Sequence, residues 1–453
     1  MKELKNLMIS VSGVRGIIGD GLTPEIAMQF AQAYGSEFPG RVVVGRDSRV
    51  SGEMLKYAVW SGLMAVGCDV LDIDLASTPT TALVTERPDH AGGIILTASH
   101  NPKQWNALKL LAPDGLFLRQ KQGEKIVNRV ENADYNLVAW DKIGRVHVFQ
   151  HAAEQHIDAI LNLSLIDVDL IRSKKFKIVI DCCNGAGAAI LPQLFAALGC
   201  VPIFLNQEPN GLFPRNPEPV PENLGDLSRA VLEHNADLGL AVDPDVDRLA
   251  LVSEEGNPLG EEYTLVLVTK FVLSKTPGDV VVNLSTTRAI DDIAKQVGGR
   301  VFRTKVGEIN VAVKAKQIGA VIAGEGNGGV IYPELHIGRD APVGIALMLQ
   351  YMAESGKNMS ALHASVPHYS MIKDKIELGF AADARAIVNK LAEQHADENI
   401  NTLDGLKLLY ENSWIHIRAS NTEPIIRVIA EAPTTEQASA MVEVFKKKVK
   451  DFS

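Results

Sequence analysis

Apolar runs and polar loops alternate along most of the chain. Each run is short, and most are rich in Val and Ile; they lie at residues 41–44, 93–96, 177–180, 238–242, 280–282 and 320–323. A polar or glycine-rich loop follows each run. Runs of this length favour buried parallel strands, with ligands bound beyond their carboxyl ends. The pattern therefore predicts three similar α/β units.

The last part of the chain has a different pattern. Strands are predicted at 375–378, 406–410, 414–418 and 425–430, with helices at 381–395 and 435–450. Neighbouring strands with short connections favour an antiparallel sheet covered by helices, hence a small α+β domain. We predict four domains, which span residues 1–150, 151–255, 256–365 and 366–453.

Composition excludes several classes of protein. Lys and Arg number 45 against 55 Asp and Glu, a net charge of −10, which argues against a dedicated nucleic-acid binder. No apolar stretch approaches the roughly 18 residues that a membrane span needs. The first ten residues lack the apolar core of a signal peptide. The four cysteines form no metal-binding or disulfide pattern, so we predict reduced thiols in a cytoplasmic protein.

Three aspartates alternate directly after the apolar run at 238–242. Asp243, Asp245 and Asp247 would share one face of an extended segment and could converge on one cation. Three carboxylates without nitrogen or sulfur ligands favour Mg²⁺ before Ca²⁺. A solvated acidic turn is disfavoured because apolar residues flank the loop closely. An EF-hand is disfavoured because Arg248 stands where its sixth position requires Gly.

Ser99 lies in a polar loop after a predicted buried strand, immediately before His100. The chain has no G-x-S-x-G elbow around it, which argues against a serine hydrolase. We expect the His100 side chain to point away from Ser99. Held rigidly near a divalent metal, Ser99 could carry a phosphoryl group, and a plain loop serine is the alternative.

Two further loops offer groups that bind sugars and phosphates. Residues 324–329 (GEGNGG) carry Glu325 and Asn327 among glycines, which suits sugar hydroxyls or an amine. The loop between the last two predicted strands offers a guanidinium, hydroxyls and an amide that could bind a phosphate dianion, although an ordinary polar hairpin is the alternative. Its polar residues are Arg418, Ser420, Asn421 and Thr422, with Arg427 beyond.

Together the four loops resemble the motifs of the α-D-phosphohexomutase family, which comprises phosphoglucomutase, phosphomannomutase and phosphoglucosamine mutase. The resemblance covers essentially the whole chain. Residues 97–102 are similar to the phosphoserine loop, 243–248 to the metal loop, 324–329 to the sugar-specificity loop and 418–424 to the phosphate-binding loop. It implies three α/β domains with mixed sheets and a C-terminal α+β lid around a central cleft.

The resemblance also implies roles for individual residues. Ser99 would carry the phosphoryl group, and Mg²⁺ would be held by the phosphoserine and the three aspartates. Lys109 matches a lysine proposed for proton transfer, Arg15 matches an arginine near the transferred group, and His100 is a further acid–base candidate. The implied substrate-binding residues are Arg248, Lys305, Glu325, Asn327, Arg418, Ser420, Asn421, Thr422 and Arg427.

The implied reaction passes a phosphoryl group from Ser99 to a hexose or hexosamine monophosphate through a bound hexose 1,6-bisphosphate. We expect a monomer or homodimer that needs neither nucleic acid nor a membrane. A non-catalytic sugar-bisphosphate sensor and a metal-dependent phosphatase are disfavoured, because the catalytic residues and the phosphate-binding loop are present.

The sugar loop departs from the common pattern. Asn327 and Gly329 stand where many relatives have Ser and His, and Glu308 follows Gly307 where many have a Gly-His pair. This form looks most like phosphoglucosamine mutases of some archaea and bacteria, which favours glucosamine phosphate. The alternative is mannose or glucose phosphate, because Glu325 is shared by all three groups of enzyme.

Overall fold

The computed structural model describes residues 6–10, 13–378, 383–420 and 425–451. These residues form four domains, each with its own sheet. The first three domains are mixed α/β, and the fourth is an antiparallel sheet with helices. The fold class predicted from the sequence is confirmed.

The first domain is the largest of the α/β units. Its strands are β1 (Leu7–Ser10), β2 (Gly13–Ile17), β3 (Arg41–Arg46), β4 (Asp69–Leu75), β5 (Gly92–Leu96), β6 (Trp105–Leu111) and β7 (Val146–Val148). Its helices are α1 (Pro24–Glu37), α2 (Gly52–Ala65), α3 (Thr78–Thr85) and α4 (Gln120–Glu131). The seven strands follow the order β1-β2-β6-β5-β3-β4-β7.

The second and third domains each have four strands. The second contains α5 (Ala152–Leu161), α6 (Val168–Lys174), β8 (Lys177–Asp181), α7 (Gly187–Ala197), β9 (Val201–Leu205), a 3₁₀ turn (Pro221–Asn223), α8 (Gly225–His234), β10 (Leu238–Val242) and β11 (Leu249–Ser253). The third contains α9 (Glu261–Lys275), β12 (Val280–Asn283), α10 (Ala289–Gln296), β13 (Val301–Thr304), α11 (Glu308–Ile318), β14 (Ile322–Glu325), β15 (Gly329–Ile331), α12 (Ala341–Ser355) and α13 (Met359–Ala364).

All three α/β domains share one four-strand arrangement. The spatial orders are β6-β5-β3-β4, β11-β10-β8-β9 and β15-β14-β12-β13. In each domain, the first three of these strands in chain order are parallel, and the fourth pairs antiparallel with the third. The phosphoserine, metal and sugar loops each join that third strand to the antiparallel one. The prediction of three similar units is confirmed.

The fourth domain contains β16 (Ser370–Glu377), α14 (Ala384–Gln394), β17 (Ile400–Asn401), β18 (Leu406–Leu409), β19 (Trp414–Ala419), β20 (Ile425–Ala432) and α15 (Thr435–Lys450). Its sheet is antiparallel throughout, in the order β16-β20-β19-β18-β17. The first strand of the domain begins earlier than predicted, at Ser370. The predicted helix at 381–395 is shorter, and its first two residues lie outside the described part.

The second and third domains share one apolar core. A continuous cluster of buried side chains joins β8 and β10 to α9 and α12, whereas the first and fourth domains have separate cores. All four cysteines are free, as predicted, although Cys200 is only half-buried. In the described residues, no helix is long and apolar enough to cross a membrane.

A buried polar network connects the three α/β domains. Asp340, before α12, accepts hydrogen bonds from His156 of α5 at 2.7 Å and from His336 at 3.0 Å. The other ring nitrogen of His156 lies 2.9 Å from the Thr80 hydroxyl of α3. Burial opposes ionisation of Asp340, but the two histidines outweigh it and hold the pKa of the carboxyl well below its usual range. One ionised carboxylate therefore holds three domains together.

Replacing His156 should weaken this connection. His156→Ala leaves Asp340 and Thr80 with fewer partners in a buried site, so we expect the free energy of unfolding to fall by about 3 kcal/mol. Urea unfolding followed by circular dichroism measures the change. His151→Ala is the matched control, because 66% of the His151 side chain is exposed. Equal effects of the two substitutions would contradict the prediction.

Candidate active site

Described residues of all four loops line one cleft of about 450 Å³. Each loop contributes at least one residue to the lining; among them are Ser99, Arg248, Asn327 and Arg418. The loops from the three repeated arrangements reach it from the ends of β5, β10 and β14, and the fourth domain contributes β19 and β20. The cleft therefore brings together a serine hydroxyl, several glutamate carboxylates and arginines from all four domains.

Ser99 faces the metal loop. Its hydroxyl donates a 2.8 Å hydrogen bond to Asp243 Oδ2, and its backbone adopts a left-handed conformation with φ at 49°. Such a conformation is costly for a residue other than Gly, and it is kept where surrounding contacts over-determine it. The Ser99 backbone N–H is fixed by the Thr97 hydroxyl at 2.9 Å.

Arg49 holds the phosphoserine loop in place. Its fully buried guanidinium donates to three carbonyl oxygens of that loop and to one at the start of β6, at distances between 2.6 and 2.8 Å, and its Nε donates to Asp47. The four carbonyls belong to Ser99, Asn101, Pro102 and Trp105. Sequence reasoning missed this role. Arg49 is remote in sequence from the loop, and the only signal is a charged run that directly follows β3.

The three aspartates converge, but not as the sequence suggested. Residues 243–248 form a tight turn between β10 and β11, with Val246 at a φ of 64°. The prediction of an extended segment is therefore wrong, and the turn itself aims the carboxylates at one point. Oxygens of Asp243, Asp245 and Asp247 lie within 4.8 Å of one another, and all three side chains are buried.

Each aspartate has at least one oxygen hydrogen-bonded to the protein, and Asp243 has both. Asp243 Oδ1 accepts two backbone N–H groups. Asp245 Oδ2 accepts from Lys109 and Thr78, both at 2.6 Å, and Asp247 Oδ2 accepts from Arg339 at 2.6 Å.

The remaining oxygens fit a hard divalent cation. Asp245 Oδ1 and Asp247 Oδ1 are buried without a hydrogen-bond partner, and Asp243 Oδ2 faces Ser99. Burial, followed by the neighbouring Asp247 and Asp245 charges, raises the pKa of Asp243. Orphaned carboxylate oxygens that repel one another are the environment that Mg²⁺ relieves.

Two predicted acid–base residues lie beside the metal loop. Burial favours the neutral form of Lys109, but Asp245 and Asp247 outweigh it and raise the pKa of the ammonium. His100 Nδ1 lies 3.3 Å from Ser99 Oγ, so the expectation that it points away is wrong. Burial, with the charges of Arg248 and Arg15, lowers the pKa of His100 well below its usual range. His100 is thus a neutral acceptor and Lys109 a cation.

Arg339 joins the metal loop to the sugar loop. Its guanidinium contacts Asp247 at 2.6 Å, Glu325 at 2.8 Å and Glu308 at 3.1 Å. Sequence reasoning did not identify this role of Arg339. Its partners come from three different segments, so spacing along the chain does not reveal them.

The sugar loop depends on a glutamate that sequence reasoning also missed. The Glu262 carboxylate occupies the space beside Gly326, where an added Cβ would lie 1.9 Å from its Oε2. Glu262 accepts hydrogen bonds from the Thr287 backbone and from Lys373 of the fourth domain, both at 3.0 Å. A residue with a side chain at position 326 would displace this carboxylate.

The fourth domain places two arginines at its end of the cleft. Arg418 on β19 lies directly opposite Arg427 on β20, and both line the cleft. Within the described residues, Arg418 Nε is buried without a hydrogen-bond partner. Ser420 follows β19 directly, while Asn421 and Thr422 lie outside the described residues. Paired guanidinium groups with a free donor are suited to a phosphate dianion.

Arg15 and Lys305, two other residues predicted from the sequence, lie in different parts of the site. Arg15 on β2 lines the cleft near the phosphoserine loop and donates to Asn101 Oδ1 at 3.1 Å. Lys305 lines an adjoining cavity between the first, third and fourth domains, which Arg418 also borders. The structure thus places Arg15 beside the phosphoserine loop, whereas Lys305 lies near Arg418 of the fourth domain.

Known protein families match successive parts of the chain. The alpha/beta/alpha domains I, II and III of phosphoglucomutase/phosphomannomutase match residues 7–137, 154–256 and 260–369. The C-terminal domain of the same proteins matches residues 375–448.

Individual proteins are similar over almost the whole chain. A phosphoglucomutase/phosphomannomutase of Thermococcus kodakarensis is 39% identical over 95% of this chain and 96% of its own. A probable phosphoglucosamine mutase of Methanopyrus kandleri is 38% identical over 96% of each chain. A crystal structure of a phosphoglucomutase/phosphomannomutase family protein from Burkholderia thailandensis has a TM-score of 0.87 at 27% identity, covering 100% of this chain and 98% of that one.

The carboxylate cluster should bind Mg²⁺ with a measurable gain in stability. A ligand that binds only the folded state at about 100 times its Kd stabilises by roughly 2.7 kcal/mol, so we expect Mg²⁺ to raise the melting temperature. The double variant Asp245→Asn/Asp247→Asn should lose this shift, because it lacks the two orphaned carboxylate charges.

Differential scanning calorimetry with and without MgCl₂ measures the shift. Asp226→Asn is the control, since this aspartate is 82% exposed on α8 of the same domain. A shift that persists in the double variant would place the cation elsewhere.

Proposed function

The chain belongs to the phosphoglucomutase/phosphomannomutase family of phosphohexomutases, and we propose that it interconverts glucosamine 6-phosphate and glucosamine 1-phosphate. Ser99 carries the phosphoryl group, and a hexosamine 1,6-bisphosphate is the bound intermediate. The observation that carries this proposal is the Ser99 hydroxyl, 2.8 Å from a buried aspartate cluster, in the same cleft as Arg418 and Arg427.

The two ends of the cleft divide the work. At one end a phosphoryl group moves between Ser99 and the sugar, and at the other Arg418 and Arg427 hold the distal phosphate. These two arginines can bind either phosphate of the intermediate. The bisphosphate can therefore reorient in the cleft and present its other phosphate to Ser99. Phosphoryl transfer of this kind depends mainly on positioning and on stabilising charge.

The residues around Ser99 supply that stabilisation. When bound, Mg²⁺ held by Asp243, Asp245 and Asp247 neutralises charge on the transferring phosphoryl oxygens. Lys109 adds a positive charge beside it, because its carboxylate neighbours keep it protonated. When Ser99 takes back a phosphoryl group, the neutral His100 imidazole, 3.3 Å from its hydroxyl, lies within reach of the released proton.

Two observations support a hexosamine substrate. Several similar proteins of archaea, such as those of Methanopyrus kandleri and Pyrococcus horikoshii, are named probable phosphoglucosamine mutases. The sugar end of the cleft is also lined with carboxylates, which suit a 2-ammonium group. The relative from Thermococcus kodakarensis is named phosphoglucomutase/phosphomannomutase, so glucose and mannose phosphates are the alternative substrates.

A parallel substrate comparison tests the assignment. We expect kcat/KM to be at least about tenfold higher for glucosamine 6-phosphate than for glucose or mannose 6-phosphate, because a buried ammonium–carboxylate pair is worth about 1.4 kcal/mol or more. Each assay contains Mg²⁺ and a catalytic amount of the matching 1,6-bisphosphate. A preference for glucose or mannose phosphate would favour the alternative.

Removing the nucleophile tests the phosphoserine. Ser99→Ala should lower kcat by roughly 10³-fold or more, because no other hydroxyl replaces it as the phosphoryl carrier. The variant should also take up no ³²P from labelled glucose 1,6-bisphosphate. Ser61→Ala, an exposed serine on α2, is the control and should behave as the unsubstituted protein does. Stable labelling of the Ser99→Ala protein would contradict the assignment.

A further inference from the structure

Selecting a hexosamine phosphate over a hexose phosphate requires one specific contact. The substrates differ only at C2, where an ammonium replaces a hydroxyl. A buried carboxylate that lacks a partner gains a strong charge-assisted hydrogen bond from the ammonium and much less from the hydroxyl. The selecting group should therefore be a cleft carboxylate with a free oxygen.

Four glutamates of the described residues line the cleft, and three are already engaged. Glu218 is partly exposed and pairs with Arg248 at 2.9 Å. Glu262 uses one oxygen for Lys373 and the other for the Thr287 backbone.

Glu325, the carboxylate of the sugar loop, accepts the most hydrogen bonds of the four. Its Oε1 accepts from the Asn283 side chain and the Gly307 backbone, both at 2.9 Å. Its Oε2 accepts from Arg339 at 2.8 Å. A sugar group that donates to Glu325 must compete with these donors for its oxygens, so Glu325 is poorly placed to distinguish an ammonium from a hydroxyl.

Glu308 differs from these three. Its Oε1 accepts from the Arg339 backbone N–H at 2.8 Å. Its Oε2 is buried without a hydrogen bond, although Arg339 Nε lies 3.1 Å away outside hydrogen-bonding geometry. The side chain is only 9% exposed and lines the cleft.

The positive charge near Glu308 does not balance the negative charge of the carboxylates there. One guanidinium, that of Arg339, is shared by two glutamates, Glu308 and Glu325, even when a bound Mg²⁺ neutralises Asp247. Burial raises the pKa of Glu308, and the Arg339 charge opposes this effect. A second cation beside Glu308 would relieve this imbalance, and the ammonium of a hexosamine is such a cation.

We propose that the Glu308 carboxylate determines specificity by accepting a hydrogen bond from the 2-ammonium group of the sugar. This inference rests on the proposed mutase function and adds a residue to it. Glu325 and Arg339 then fix the position of Glu308 and the loop around it. Glu308 begins α11, and the neighbouring Gly307 N–H is bound to Glu325, so both carboxylates belong to one rigid arrangement.

The substitution Glu308→Gln removes the charge of the side chain and keeps its shape. The amide oxygen of Gln can still accept from the Arg339 backbone, while the negative charge is lost. We expect kcat/KM for glucosamine 6-phosphate to fall about 10- to 100-fold, and that for glucose 6-phosphate to change less than about threefold. Glu218→Gln is the control, because it removes a cleft carboxylate that is already paired and should leave the ratio of the two values unchanged.

The ratio distinguishes this inference from the proposed function. If the unsubstituted enzyme prefers glucose phosphate, the hexosamine assignment fails, yet a tenfold fall of the ratio in Glu308→Gln would still support the role of Glu308. An unchanged ratio, or an equal loss on both substrates, would overturn that role whichever sugar is preferred.

The unsubstituted enzyme offers a second test that needs no variant. As the pH rises through the pKa of the sugar amine, the ammonium becomes neutral and its bond to Glu308 weakens. Groups that act on both substrates cancel in the ratio of the two kcat/KM values, so the ratio itself should fall. The ratio should be independent of pH in Glu308→Gln. A flat ratio in the unsubstituted enzyme would contradict the proposal.

Discussion

The burial of three aspartates beside one another is the constraint on which the active site depends. Carboxylates in a low-dielectric environment repel, and each is costly unless it is paired. The partners come from different domains: Lys109 from the first and Arg339 from the third. The Ser99 hydroxyl is also a partner, since it donates to Asp243. Neutralising this cluster therefore assembles three domains and positions the nucleophile at the same time.

The repeated topology explains why the loops meet. In each α/β domain the functional loop joins the third parallel strand to its antiparallel neighbour, at the carboxyl end of the sheet, where ligands bind in such folds. A loop at this position can extend beyond the sheet without disturbing the packing of the strands. Three copies of one arrangement thus supply three chemically different loops. The fourth domain, with a separate core, adds the phosphate-binding arginines.

The sequence predicted the fold class, the three similar units and the metal-binding carboxylates, because each depends on residues close together in the chain. It did not predict the turn at residues 243–248, since the positive φ of Val246 is unusual for a β-branched residue. Arg49, Glu262 and Arg339 were missed because their partners lie in distant segments, and a charged residue after a strand is common. Their roles follow only from the packing of domains against one another.

The residues proposed for phosphoryl transfer and those proposed for sugar recognition lie in different domains. Ser99 and the metal loop belong to the first and second domains, whereas Glu308 and Glu325 belong to the third. Arg339 contacts the metal loop and both glutamates, so it fixes their positions relative to one another. Under the proposed function, substitution at Glu308 changes the preferred sugar while Ser99 and the aspartates remain as they are. The sugar preference of such an arrangement can then vary independently of its phosphoryl-transfer residues.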